Sequence, residues 1–277
     1  MKKRIILIAL VAISVLATIF TLCACIFLNA FFGNPVSYLA ARVAADSYVE
    51  DNYPSMGYEI EDVRYSFKDG SYHAYVSSED RIDGDFTVYL NSFGGVEYDD
   101  YLYRVEERGN VSDRLFLLYR ARVGEVLDSE DFPYETHIAY GDLEFDCEAG
   151  EEFPEDAMDR SELINGAEYD IDALGKTNGT LVLYIDTDRA DISKASEILL
   201  EVRRRMDSAG VTFARVDLTL RVPDAEGKAR SEFAVIDFKY EDIYEDGIDE
   251  RVTSAKERTD AYYERMDAEK AAETPIE

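Results

Sequence analysis

The stretch IILIALVAISVLATIFTLCACIFLNAFF, residues 5–32, decides how this chain is built, and it contains no charged residue. At a rise of about 1.5 Å per residue, a helix of this length crosses the roughly 30 Å hydrocarbon core of a bilayer with room to tilt. Lys2, Lys3 and Arg4 precede it, and the next basic residue is Arg42. The positive-inside bias therefore predicts a cytoplasmic tip at residues 1–4 and everything after Phe32 outside. The expected location is the cell membrane, with the bulk of the chain extracellular.

Three kinds of segment compete for this reading. A cleaved signal peptide has an apolar region of about 7–15 residues followed by a small-x-small site. Here Phe27, Leu28, Phe31 and Phe32 carry the run past any good site. A lipoprotein signal would place its lipid on Cys25, since Leu22-Cys23-Ala24-Cys25 has the outline of a lipobox. The cysteine at the middle position and the apolar Ile26-Phe27-Leu28 that follows fit it poorly. An uncleaved single-pass anchor over 5–32 fits best, with Cys23 and Cys25 as small apolar residues of a membrane helix.

All 59 acidic residues lie beyond the run, and three of the 29 basic ones precede it. The remaining 26 bases leave the outer part with a net charge of −33. Nucleic acid is excluded as a partner, because binding it requires basic residues to displace phosphate counterions. The expected partners are the membrane, through the N-terminal helix, and another envelope protein. So much acid reads first as a solvated, repulsive surface, and second as a weak site for cations. Cys147 is the one cysteine beyond the run, so no internal disulfide can form there and packing must hold the fold. The 20 Tyr and 14 Phe can supply a core without any Trp.

Past the run, Gly33-Asn34-Pro35 ends one helix and starts another, with Asn34 as cap and Pro35 in the first turn. Val36, Leu39, Ala40, Val43 and Ala44 mark one face at helical spacing, which predicts the buried side, and Pro54 stops the helix. Three alternating segments follow: Val63, Tyr65 and Phe67; Tyr72, Ala74 and Val76; Phe86, Val88 and Leu90. Lys68-Asp69-Gly70 and Asn91–Gly95 are the turns between strands, and Val96-Glu97-Tyr98 makes a short fourth strand. Helical stretches near 99–108 and 112–127 come next. A helix packed across a meander is a two-layer α+β plan, like that of cystatin-like and PepSY-like modules.

The words GNPVSYLAARVAADSYVEDNYP, YSFKDGSYHAYVSS, DFTVYL and VEYDDYLYRVEERGNVSDRLFLLY make this part similar to the YfjL-like proteins of Gram-positive bacteria. The carrying residues are Asn34-Pro35-Val36, Tyr53-Pro54, Lys68-Asp69-Gly70, Tyr98-Asp99-Asp100-Tyr101 and Arg114-Leu115. The resemblance covers about Gly33 to Tyr119, and the rest more loosely. It implies a membrane-attached, externally facing protein, and it carries no catalytic residues over to this chain.

The sequence divides into an anchor (5–32), a first α+β domain (33–127) and a second α+β domain (128–277), with the border between Glu125 and Phe153. Residues 128–154 are acidic and irregular apart from a strand near His137–Phe145. Asp142, Glu144 and Asp146 share one face of that strand, where like charges repel, so the face is exposed or binds cations. Leu181–Ile185 is continuously apolar and suits a strand buried on both faces. Asp191 or Ser193 then caps a helix with Ile192, Ala195, Leu199, Val202 and Met206 toward the core, ended by Gly210. Strands at 212–222 and 232–240 follow, joined by a turn at 223–227, and then a helix at 248–273. The expected order is β-α-β-β-α.

The chemistry of catalysis is hard to find. His73 and His137 stand apart in strands, and no HxxxH, CxxC, Gly-x-Ser-x-Gly or phosphate loop occurs. Asp186-Thr187-Asp188 with Glu197 outlines a calcium loop, but Ala190 stands where a ligand should and Asp191 where the loop needs Gly. Arg203, Arg204 and Arg205 are a possible basic patch, read more simply as complementing a helix C-terminus and nearby acids. No catalytic, cofactor-binding or metal-binding residues are assigned. The expectation is a non-enzymatic binding or regulatory module at the cell surface, with an envelope enzyme acting through carboxylates as the alternative.

Overall fold

A computed structural model describes residues 2–146, 156–224 and 228–273. Cys147 and parts of the expected irregular segment and the 223–227 turn lie outside these residues. The chain is a mixed α+β protein with an N-terminal apolar helix and two four-stranded sheets, and it divides into compact units at residues 1–110 and 111–277.

In the first unit, α1 (Lys2–Phe32) is long and apolar enough to cross a membrane. It ends where Gly33 takes a left-handed φ of 67°, a conformation that favours glycine. Asn34 then caps α2 (Pro35–Asn52) by accepting the Ser37 N–H at 2.9 Å. Strands β1 (Glu59–Ser66), β2 (Ser71–Ser77), β3 (Phe86–Leu90) and β4 (Val96–Asp99) form an antiparallel meander in chain order. Val63, Tyr72, Ala74, Val76, Phe86, Val88 and Leu90 are buried, as their alternation predicts, whereas Tyr65 is half-buried and Phe67, which falls past the end of β1, is exposed.

The face that α2 buries differs from the expected one. Ala41, Ala45 and Val49 meet the sheet, while Val36, Leu39 and Val43 are exposed. Both stripes have helical spacing. The alanines win because a small side chain lets the helix approach the sheet closely, and the bulkier stripe is left outside.

The second unit begins with α3 (Gly109–Leu127), whose Val111, Leu115, Tyr119 and Val123 are buried in its core. The expected border left this helix in the first half. Its apolar face instead closes the second core, so the units meet at Asn110 and Val111. The sheet is β5 (Glu135–Leu143), β6 (Gly179–Asp186), β7 (Arg215–Pro223) and β8 (Ala229–Lys239), in that spatial order. The central pair β6–β7 is parallel and is bridged by α5 (Ile192–Ala209), while both outer pairs are antiparallel. A short α4 (Ile171–Asn178), which the sequence reading missed, precedes β6, and α6 (Ile248–Glu273) packs along β8.

One residue fixes this core. The ring of Tyr119 lies against three glycines distant in sequence. A Cβ would come within 2.7 Å of the ring at Gly141, within 2.6 Å at Gly175, and within 2.5 Å of the hydroxyl at Gly179. The hydroxyl donates to the Thr212 carbonyl at 2.8 Å, so the buried phenol is satisfied.

Candidate functional site

His73 is the residue nearest to a catalytic grouping. Its Nε2 lies 3.1 Å from Ser71 Oγ and 3.3 Å from Asp69 Oδ2. A nucleophile–base–carboxylate relay needs its two partners on opposite ring nitrogens. Here both meet the same nitrogen, so the arrangement ties a hairpin together and passes no proton along. Asp69 is held low, at about 2, first by the Ser66 hydroxyl and then by Ser71 and His73. His137 is exposed at a bulge in β5, in the other unit. Among the described residues no three His, Cys, Asp or Glu side chains come together to hold a metal.

The residues of the would-be calcium loop have other partners. Asp186 pairs with Arg221 at 3.4 Å, Asp191 caps α5 by accepting the Lys194 N–H at 2.8 Å, and Glu197 pairs with Lys194 at 2.8 Å. The arginine triplet is also committed. Arg204 and Arg205 each lie 2.6 Å from Glu201, which they hold at about 2. Arg203 donates to the carbonyls of Tyr240 and Ile243 and stands over the Tyr240 ring.

The residues that carried the family resemblance have structural work in the fold. Asp99 accepts from the hydroxyls of Tyr48 at 2.7 Å and Tyr53 at 2.6 Å, tying the end of α2 to β4. Burial and this carboxylate push the Tyr48 hydroxyl up to about 12. Asp100 accepts the Thr87 N–H at 2.6 Å, and Arg114 donates to the Ala167 carbonyl at 3.0 Å.

Two surfaces of the second unit remain. The first is the face of its sheet opposite the buried Leu181, Leu183 and Ile185. Register sets Asp142, Thr180 and Arg215 in one row across β5, β6 and β7, and Tyr140, Val182 and Asp217 in another. Thr180 donates to Glu144 at 2.8 Å, and Arg120 stands over the Tyr140 ring at 4.8 Å. Burial raises the carboxyls of Asp142 and Asp217, and Glu144 raises both further. Asp217 is steadied by the Asp237 N–H at 2.8 Å. Asp146, expected on this face, instead pairs with Arg160.

The second surface is a groove of about 750 Å³ along α5, lined by Pro133, Tyr134, Lys194, Glu201, Arg204 and Glu245 among others. Lys194 stands over the Tyr134 ring at 5.5 Å. Burial, then Glu197 and Glu201, push the Tyr134 hydroxyl up to about 12. The groove's lining mixes Pro133, Tyr134 and Leu200 with the charged Lys194, Glu197, Glu201, Arg204 and Glu245. Sequence reasoning missed the groove, since Tyr134 and Glu245 are far from α5 along the chain.

The architecture is thus that of an α+β protein carrying an N-terminal apolar helix and two sheet domains. The chain belongs to the YfjL-like family: the YfjL-like N-terminal domain matches residues 2–100, and the YfjL-like C-terminal domain matches residues 118–253. No curated protein matches it. Among solved structures, a DUF5037 family protein from Ruminococcus gnavus is 16% identical, over 78% of this chain and 98% of that one, with a TM-score of 0.22.

Proposed function

We propose that this chain is a single-pass membrane protein that displays its two α+β domains outside the cell as a non-enzymatic binding or regulatory module. The observation that carries the reading is α1, a helix of 31 residues whose described apolar side chains are exposed along its length, as a lipid-facing helix requires. It runs unbroken through Cys25 to Phe32, which fits an anchor better than a processed leader. The helix laid on a meander in the first unit has the plan of cystatin-like and PepSY-like modules, an analogy of architecture alone. The α5 groove supports a binding role, with an extended segment of an envelope protein as its occupant.

Protease added to intact cells tests the topology: it should degrade residues 41–277, and protection of that region would defeat the reading. Fatty-acid labelling that disappears in Cys25→Ser would establish the lipoprotein alternative. The carboxylates of the second sheet favour an envelope enzyme as the second reading. A hydrolytic activity of the purified chain that is lost in the Asp142→Asn, Asp217→Asn double variant would establish it.

A further inference from the structure

We infer that the first domain lies on the outer face of the bilayer through a ring of apolar side chains at the exit of α1, chiefly Phe67, Phe93, Val36 and Leu39. The inference rests on α1 spanning the membrane. These groups are solvent-exposed to 59%, 94%, 78% and 61%. Exposed side chains of this size, grouped together, mark an interaction surface.

Their position identifies the partner. Tyr65 donates its hydroxyl to the Ala30 carbonyl, in the last turn of α1, at 3.0 Å. The Tyr72 hydroxyl accepts the Asn34 N–H at 3.0 Å and donates to the Asn34 carbonyl at 3.1 Å. The ring of Phe67 stacks on Phe31 of α1, with centroids 6.1 Å apart and planes at 17°. The β1–β2 turn is therefore fastened to the end of the span. The β3–β4 turn, which carries Phe93, is joined to it by Ser92, whose hydroxyl donates to the Gly70 carbonyl at 2.9 Å. That turn also rests on α2, because a Cβ on Gly94 would meet the Ala40 carbonyl oxygen at 3.0 Å. Both turns and the first turns of α2 thus gather where the chain leaves the membrane.

The outer stripe of α2 gives a second, independent sign. It runs Val36, Leu39, Val43 and then, at the same spacing, Asp46 and Glu50, all exposed. Apolarity is confined to the part nearest the span and gives way to acid beyond it. A bilayer interface has that polarity gradient. Lys68 at the turn beside Phe67 has the reach to place its ammonium among headgroups while its stem stays in apolar surroundings. A net charge of −33 is repelled by anionic lipid, so contact is made by apolar insertion and holds on a neutral leaflet.

The chain has no Trp, so single tryptophans report cleanly. The full chain is reconstituted in vesicles of phosphatidylcholine, with or without bromine on the acyl chains, as Phe67→Trp, Phe93→Trp, Phe20→Trp or Tyr244→Trp. Thermal unfolding matched to the parent confirms that each is folded. Phe20 lies within α1 and reports the span; Tyr244 is an exposed residue of the second unit. The expected result is a blue-shifted emission from the Phe67→Trp and Phe93→Trp variants that is lost on brominated lipid, with the Tyr244→Trp variant unaffected. If the Phe20→Trp emission is quenched while those at positions 67 and 93 match position 244 in acrylamide access, the surface contact is overturned and the span stands. That outcome would leave the ring to a protein partner. An unquenched Phe20→Trp variant overturns the span, and this inference with it.

Discussion

At the scale of single residues, Tyr119 and its three glycines make the sharpest expectations. A methyl added at Gly175 meets the Thr212 carbonyl oxygen at 2.5 Å and the Tyr119 ring at 2.6 Å, and a carbonyl in a packed core cannot step aside. Gly175→Ala should destabilise the second unit by roughly 1–3 kcal/mol in urea titration. Gly124→Ala is the control: its nearest neighbour is the mobile tip of Asp128 at 3.1 Å, and it lies in a helix, so the change should be neutral or stabilising. Tyr119→Phe removes the bond to Thr212 and should cost about 1 kcal/mol. Asp217 gives a prediction in pH. Burial raises its carboxyl above the ordinary 3.8, so the folded chain holds that proton more tightly than the unfolded one. Its contribution to stability therefore falls as pH rises from 3.8 through the raised value. Asp217→Asn should melt higher than the parent at pH 7, and the gap should narrow as the pH approaches 4. A gap independent of pH would show that ionisation of Asp217 is not the cause. None of the Tyr119 packing was legible in the sequence, because Gly141, Gly175 and Gly179 lie far from Tyr119 along the chain and glycine carries no pattern of its own.

At the scale of elements, alternation and capping were legible wherever a local rule governs. Asn34, Asp191 and Gly210 act as read, and the buried alternation of β2 and β3 matches the expected residues. The reading of α2 failed because two stripes were available, and larger side chains carry more weight in a hydrophobic pattern than alanine does. The carboxylates at Asp142 and Glu144 were legible as one face of a strand. Asp217 was not joined to them, because the pairing of β5 through β6 to β7 is a tertiary fact. Helix α3 shows the same limit, since periodicity identifies its apolar face but not the sheet that receives it. A fragment of residues 109–277 should therefore fold, whereas 128–277, lacking Val111, Leu115, Tyr119 and Val123, should give no cooperative melt by circular dichroism. A cooperative melt of the shorter fragment would return α3 to the first half.

At the scale of the whole molecule, the charged, cysteine-poor chain beyond α1 must keep its shape by packing, and each unit has its own apolar cluster to do so. Limited proteolysis of residues 33–277 should give two stable fragments, with the first cuts near residues 101–111, at the border of the two units. First cuts inside β6 or β7 would show that the second core is less stable than its burial implies. The junction at Gly33 and Asn34 has a mechanical corollary. Only two residues separate α1 from α2; the Tyr72 hydroxyl grips the second of them, Asn34, and the Tyr65 hydroxyl holds the Ala30 carbonyl in the last turn of α1. Nothing there acts as a swivel. With α1 in a bilayer as proposed, rotation or tilt of the helix would be delivered as torque to the β1–β2 hairpin instead of being lost in a tether, and a pull on the first domain would travel back along the same route.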